Sequence, residues 1–244
     1  MNLFGFRRPA PVTLVRAWCS PFAREDLSGE VLAFVDAVLA LIPAASFEGT
    51  VNDGDPLALS SLRRTLGKLV ARKADSLQVH DEGGELALAI VQDGRAMRSG
   101  VPVFEVVAVL PPGRPDAVDR LLALLAAGQV HYAYARPLGP AFDRMSETRV
   151  RRTWFGGASA KVEGGRERWL VPEDDVRSGA VRGLYPVNVL SAVALARLGG
   201  VGLQLPRSVP GRGGVPWRLT REEQAEVVRA NPGFRAWLHF GEED

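Results

Sequence analysis

The sequence predicts an α+β protein with an antiparallel sheet, helices packed on one face, and a smaller C-terminal α+β segment. Two observations favour this class. Strand-like and helix-like stretches alternate over the first 136 residues, and they follow the order β-α-α-β-β-β-α-β. Because three strands succeed one another without a helix between them, the order is typical of an antiparallel meander and not of a doubly wound parallel sheet.

The first predicted elements are a strand and a helix. An apolar run from Val12 to Cys19 predicts the strand, and Pro21 ends it. Ser28 offers an N-cap, after which apolar residues recur at helical spacing until Pro43. These residues are Val31, Phe34, Val35, Val38, Leu39 and Ile42. Their single stripe predicts a helix face that is buried against the sheet.

A second helix is predicted after Ser60 and Ser61, which can cap it. Its two sides differ in character. One side is apolar and consists of Leu62, Leu66, Leu69 and Val70. The opposite side carries Arg64, Lys68 and Arg72, so the helix presents a cationic outer face.

A hairpin follows, in which Ser76 to His80 and Glu85 to Val91 are the two strands. The connection Asp81-Glu-Gly-Gly84 is a turn signal, because glycine readily adopts the positive φ of tight turns. Val103 to Leu110 predicts a further strand. Together these three strands predict an antiparallel meander.

A third helix and a last strand complete the first domain. Pro115 opens the helix and Gly128 is well placed to end it. Val130 to Ala135 predicts the strand. Strict alternation would put His131 on the same face as Ala133, with the tyrosines 132 and 134 on the opposite face.

Composition changes after this strand and predicts three parts: a domain over 1–136, an irregular connection over 137–165 and a C-terminal segment over 166–244. The connection contains a basic and aromatic cluster, the arginine–aromatic segment. Its members are Arg149, Arg151, Arg152, Trp154 and Phe155. Such a connection is either an interdomain linker or a long loop that carries function.

The C-terminal segment is predicted to hold a strand over Arg166 to Val171 and two helices. Pro186 fits the first turn of a helix, which would run through Leu190 to Gly199. Thr220 and Glu223 form a capping box for the last helix.

Composition narrows the classes of function. At 244 residues, with 46% hydrophobic and 24% charged residues, the chain is expected to be globular. A net charge of +2 is weak support for nucleic-acid binding. A single cysteine, an N-terminus unlike a secretory signal, and apolar runs shorter than the roughly 18 residues of a membrane span predict a cytoplasmic protein.

The candidate reactive residues form no known catalytic or metal-binding pattern. His80, His131 and His239 lack neighbours at the spacing of a zinc site, and the glycine-rich stretch near residue 211 lacks the Lys-Ser/Thr of a phosphate-binding loop. We therefore expect no metal, no cofactor and no catalytic centre. One alternative is an enzyme that uses Cys19 or His131 together with a carboxylate such as Glu105. The other is a nucleic-acid-binding accessory protein that uses Arg149 to Phe155.

The arginine–aromatic segment and the cationic helix face are the predicted partner-binding surfaces. Arginine and aromatic side chains are enriched at protein interfaces, and they also stack on single-stranded nucleic acid. Acidic residues interleaved around the segment dilute its positive charge. We rank protein contact first, a plain structural loop second and nucleic acid third.

The stretch Arg182-Gly-Leu-Tyr-Pro-Val-Asn-Val-Leu-Ser191, followed by a glycine-rich gap and Trp217-Arg-Leu-Thr220, resembles bacterial immunity-type proteins of polymorphic-toxin and type VI secretion loci. The resemblance is confined to the C-terminal third. It implies a cytoplasmic protein that binds a cognate toxin and neutralises it by occlusion. The family shares no catalytic residues, so the resemblance implies a structural role for Arg182, Tyr185, Pro186 and Asn188.

Overall fold

The structure is a computed structural model that describes residues 11–20, 27–52, 54–61, 64, 76–92, 103–126, 128–145, 147, 150–152, 158–160, 176–181, 183–199 and 214–230. Its elements are β1 (Val12–Ser20), α1 (Leu27–Leu39), β2 (Phe47–Val51), β3 (Leu57–Ala58), β4 (Ser76–Asp81), β5 (Leu86–Gln92), β6 (Phe104–Leu110), α2 (Pro115–Ala126), β7 (Gln129–Leu138), β8 (Val150–Arg152), β9 (Ala158–Ala160), β10 (Val187–Leu190), α3 (Ala192–Gly199), β11 (Val215–Arg218) and α4 (Arg221–Ala230).

Nine strands form one antiparallel sheet in the order β11-β10-β7-β1-β6-β5-β4-β2-β3. Strand β1 lies in the middle, between β6 and β7, and both of its neighbours run antiparallel to it. The predicted α+β class with an antiparallel sheet is confirmed. Strands β10 and β11 of the C-terminal segment extend this same sheet, and β8 and β9 form a separate two-stranded sheet.

One face of the sheet, the helical face, is covered by α1 and α2. Odd-numbered β1 residues such as Val15, Ala17 and Cys19 point into the core on this side, together with the predicted stripe of α1. The alternation of side chains along a strand explains the division, since residues two apart share a face. This face matches the prediction of helices packed against the sheet.

The other face, which we call the second face, carries the even-numbered β1 residues. Trp18 packs there in a cluster with Leu195 and Leu198 of α3. Leu14 lies there in an adjoining cluster, against which Phe142 packs. Helix α3 therefore lies opposite to α1 and α2, and the sheet is covered on both faces.

The segment after Pro186 corrects one prediction, because residues 187–190 form strand β10 and the helix begins only at Ala192. Successive side chains lie on opposite faces of the sheet: Val189 packs in the core of the helical face, whereas Leu190 packs in the cluster of the second face. β-Branched valines at alternating positions suit a pleated strand, and pairing with both β7 and β11 decides the conformation. Pro186 precedes a strand and does not open a helix.

Several local predictions are confirmed. In the β4–β5 turn, Asp81 Oδ1 accepts hydrogen bonds from the amides of Gly83 and Glu85, each at 2.9 Å, and Gly84 has a φ of 74°. The capping box of α4 is formed in both directions: Glu223 Oε2 accepts from the Thr220 amide at 2.7 Å, and Thr220 Oγ1 accepts from the Glu223 amide at 3.2 Å.

Other predicted elements differ from the structure or lie outside it. The short strands β2 and β3 were not predicted, since Gly49 interrupts the β pattern of Phe47–Val51. Residues 59–61 and 64 are helical, as expected for the start of the second predicted helix. The rest of that helix and the predicted strand over 166–171 lie outside the described residues. The division into three parts stays a prediction.

Candidate functional site

A buried charge cluster lies on the second face, at the centre of the sheet. The Arg16 side chain is only 1% exposed, and its Nη1 lies 3.0 Å from Glu105 Oε1. Its Nε lies 3.2 Å from Oε1 of Glu147, whose side chain is also 1% exposed. Arg16 further donates to the Met145 carbonyl oxygen. Because an unpaired buried charge is very costly, these partners are what allows arginine at a core position.

The cluster continues on β7, where two side chains contact Glu147. The Tyr134 hydroxyl donates to Glu147 Oε1 at 2.5 Å. Arg136 Nη1 lies 3.6 Å from Glu147 Oε2. With Arg136 included, the cluster holds two arginines and two glutamates, so its formal charge is balanced.

A column of aromatic rings adjoins the charges. Trp18 and Tyr132 stack with 5.7 Å between ring centroids and an interplanar angle of 8°. Tyr134 stacks on Tyr185 with centroids 4.0 Å apart. The Tyr132 hydroxyl donates to the Gly183 carbonyl oxygen at 2.9 Å, which satisfies its polar end in the core.

Strand register explains why these groups meet. Arg16 is paired with Tyr134, and Trp18 with Tyr132 on β7 and Glu105 on β6. Directly opposed residues of antiparallel strands share a face and lie close enough to interact. The cluster was not predicted as a site. The signal that could have found it is Arg16 itself, a charge within an apolar strand, because such a residue is rarely buried without a partner.

The turn at Tyr185 is fixed by Asn188, which is fully buried. Asn188 Oδ1 accepts from the Tyr185 amide at 3.1 Å, and its Nδ2 donates to the Tyr185 carbonyl oxygen at 2.6 Å. Arg136 Cζ lies 5.6 Å from the centroid of the Tyr185 ring, a cation–π distance. These contacts support the structural role that the resemblance implied for Tyr185 and Asn188.

Residues 139–186, which we call the insertion, separate two strands that are neighbours in the sheet. β7 and β10 pair antiparallel, with Val187 opposite Ala135, and such neighbours can be joined by a turn of two residues. The insertion instead contains the β8–β9 hairpin, which pairs in its own sheet. Long connections of this kind in compact domains are often functional.

The predicted partner-binding residues fall unevenly within the structure. Arg151 and Arg152 lie in β8, where they are opposite Ser159 and Ala158 in the register. Arg64 is exposed, and its Nη2 donates to Ser61 Oγ at 3.4 Å. The other predicted residues lie outside the described part of the chain: Lys68, Arg72, Arg149, Trp154 and Phe155. Of the eight predicted residues, the structure therefore places Arg64, Arg151 and Arg152.

The candidate nucleophile Cys19 is fully buried on the helical face. Burial raises the pKa of its thiol far above the ordinary value, since the apolar surroundings disfavour the thiolate. The thiolate is the nucleophilic form, so Cys19 has the properties of a core residue.

His131 lies at a β-bulge of β7. Trp18 pairs with Tyr132 and Cys19 pairs with Val130, so His131 is skipped in the register and the predicted alternation with Ala133 is interrupted. Burial, followed by the nearby positive charge of Arg177, lowers the pKa of the imidazole. Glu105, the carboxylate expected to assist it, is engaged by Arg16.

Within the described ranges, His, Cys, Asp and Glu side chains form no group of three or more that could hold a metal ion. Among the helices of the described part of the chain, none is long and apolar enough to cross a bilayer.

Comparison with known proteins identifies a fold and no family. No family model matches the chain, and no curated protein matches it by sequence. Among solved structures, a chain described as a Pseudomonas aeruginosa T6SS protein is similar, with a TM-score of 0.57 and 13% sequence identity. The similarity covers 94% of this chain and 77% of that chain. The two proteins share a fold.

The contacts of the cluster join strands β1, β6 and β7 to the chain segment at Glu147. Each glutamate contacts at least one arginine, and Glu147 Oε1 also accepts a hydrogen bond from the Tyr134 hydroxyl. The arrangement is suited to holding chain segments together.

Proposed function

We propose that this chain is a non-enzymatic binding protein, namely an immunity protein that neutralises a cognate bacterial toxin by direct contact. Two kinds of observation support the proposal. The C-terminal third resembles immunity-type proteins of type VI secretion loci, and the fold is similar to that of a Pseudomonas aeruginosa T6SS protein. Both fit a role connected with secretion, and a cytoplasmic location follows from the proposed role.

The observation that carries the proposal is the insertion of the β8–β9 hairpin between two strands that need only a short turn. Among the described strands, β8 and β9 pair only with each other, and we assign their hairpin to recognition. Residues 148–160 contain three arginines and no acidic residue, and Trp154 and Phe155 lie between the two strands in sequence. Arginine and aromatic side chains dominate the energetics of protein interfaces.

We propose the arginine–aromatic segment as the primary toxin-binding surface, with Arg149, Arg151, Arg152, Trp154 and Phe155 in contact with the toxin. The cationic helix face is the second candidate. Its residues are Arg64, Lys68 and Arg72. Both surfaces favour an acidic region of the toxin, because opposite charges speed association and fix the orientation of the partners.

The test is co-expression of the chain with the toxin domain encoded at its own locus, followed by light scattering and calorimetry of the purified mixture. We expect a stoichiometric complex and protection of cells from the toxin. Arg151→Glu/Arg152→Glu should weaken the complex by at least ten-fold. Arg221→Glu, at an exposed position of helix α4, is the matched control and should have no effect.

Each alternative function has its own readout. Failure to bind or neutralise the toxin would refute the immunity proposal. If Cys19→Ala/His131→Phe folds but no longer protects cells while the complex stays intact, the enzyme hypothesis takes its place. Affinity for single-stranded DNA that falls steeply with salt would support a nucleic-acid-binding role.

A further inference from the structure

The two ends of the insertion lie close together on the second face of the sheet. The outgoing end passes through Glu147, whose side chain is buried against β1 and β7. The returning end passes through Gly183 and Tyr185 just before β10. The same strand, β7, contacts both ends.

Tyr134 is the first side chain that touches both ends. Its hydroxyl donates to Glu147 Oε1 at 2.5 Å, and its ring stacks on Tyr185 with an interplanar angle of 18°. The residue is fully buried. One side chain thus combines a charge-assisted hydrogen bond to the outgoing end with an aromatic contact to the returning end.

Arg136 repeats this arrangement two residues along β7. Its Nη1 lies 3.6 Å from Glu147 Oε2, and its Cζ lies 5.6 Å from the centroid of the Tyr185 ring. The Arg136 side chain is 18% exposed. Because Tyr134 and Arg136 share a face of β7, their contacts to Glu147 and Tyr185 form a closed ring of four side chains.

We infer that Tyr134 and Arg136 form a clamp, which holds both ends of the insertion so that the β8–β9 hairpin is presented to an acidic protein surface in one fixed position. This inference rests on the proposed function and identifies its positioning residues. A clamped loop loses less conformational entropy on binding than a loop with free ends. Tyr134 and Arg136 therefore act on binding through the hairpin and without touching the partner.

Hydrogen exchange of the free protein tests the clamp directly. The Glu147 amide, which donates to the Asp143 carbonyl oxygen at 2.8 Å, reports on the outgoing end. The Tyr185 amide, which donates to Asn188 Oδ1, reports on the returning end. Tyr134→Phe removes only the hydroxyl, so we expect roughly ten-fold faster exchange at Glu147 and little change at Tyr185.

Tyr132→Phe is the matched control, because the hydroxyl of Tyr132 bonds Gly183 at the returning end. It should accelerate exchange at Tyr185 and leave Glu147 unchanged. Arg136→Gln should accelerate both amides, since Arg136 contacts both ends. Exchange in β2, which lies five strands away from β7 in the sheet, should be the same in all variants. Unchanged exchange at both reporter amides in Tyr134→Phe and Arg136→Gln would overturn the clamp.

Binding to the toxin domain encoded at the same locus tests the role of the clamp. Arg136→Gln should lower affinity about ten-fold, mainly through slower association, whereas Arg114→Gln, at an exposed ion pair, should not. If Arg136→Gln alters hydrogen exchange but leaves the affinity for the toxin domain unchanged, the clamp has no role in binding. If the wild-type chain binds no toxin, both the proposed function and the role of the clamp in binding are refuted. Hydrogen exchange of the free protein still decides whether the clamp exists. Salt-sensitive binding of an oligothymidylate would assign the hairpin to nucleic acid and overturn the protein partner.

Discussion

At the scale of single residues, Glu147 combines two unfavourable features that its contacts offset. Its φ of 55° lies in the left-handed region, which costs a residue other than glycine about 1 kcal/mol, and its carboxylate is buried. Glu147→Gln keeps the shape but removes the charge opposite Arg16. We expect a loss of about 3–5 kcal/mol in the free energy of unfolding, because Arg16 is left with one carboxylate partner fewer.

The Arg16–Glu147 coupling is measurable by urea denaturation of Arg16→Met, Glu147→Gln and the double variant. Removing both charges should cost less than the sum of the single losses, since the second change no longer strands a buried charge. Additive losses would show that the two residues stabilise the fold independently.

His131 predicts a dependence of stability on pH. Burial and Arg177 lower its pKa in the folded state below the ordinary value of 6.5. Between the folded value and 6.5 the unfolded chain binds more protons, so stability falls as pH falls through this window, by at most about 1.4 kcal/mol per pH unit. His131→Phe should remove this contribution, measured by urea denaturation at pH 7.5 and 5.5, whereas His80→Gln should not. An unchanged pH slope in His131→Phe would attribute the effect to another group.

At the scale of secondary-structure elements, α3 depends on a close approach by Gly179. A Cβ at Gly179 would lie 3.0 Å from the Ala194 Cα and amide nitrogen, and φ is 87°. Gly113 has a similar φ of 72° with nothing within 4 Å of the same position. Gly113→Ala should cost about 1 kcal/mol from the backbone alone, and Gly179→Ala a further 1–3 kcal/mol or so from overpacking. Equal losses in thermal or urea denaturation would mean that α3 adjusts without cost.

Elements built from local signals were predictable, whereas the site was not. Local sequence determines the turn at Asp81, the capping box at Thr220 and the apolar stripe of α1. Each depends on residues only a few positions apart, so each is predicted from the sequence alone. Strand β10 was mistaken for a helix because its pairing with β7 and β11 is non-local. The buried charge cluster is even harder to predict from the sequence. Arg16 indicates that a charged partner is needed, but no residue near it in the sequence identifies Glu147 as that partner.

At the scale of the whole molecule, the sheet has two different cores. Among the described residues, α1 and α2 pack on the helical face through apolar side chains, while the second face combines apolar packing with buried charges and hydrogen bonds. Apolar burial is non-directional, whereas ion pairs and hydrogen bonds require particular partners at particular angles. The second face is therefore suited to holding the insertion in one register.

This division predicts that the hairpin can be replaced without loss of the fold. β8 and β9 pair in a sheet of their own, and the clamp contacts lie outside them at Glu147 and Tyr185. Substituting residues 149–160 with a glycine–serine linker of equal length should change the free energy of unfolding by less than about 1 kcal/mol, because the entropy of loop closure is set by the loop length, which is kept.

The same replacement should abolish binding to the toxin domain encoded at the locus, measured by calorimetry. A glycine–serine linker placed instead at 82–84, in the exposed β4–β5 turn, is the control and should bind normally. Loss of cooperative unfolding after replacing 149–160 would show that the hairpin belongs to the core of the fold. If binding stays intact, toxin recognition must be assigned to the cationic helix face. Replacing Arg64, Lys68 and Arg72 by glutamate should then abolish binding.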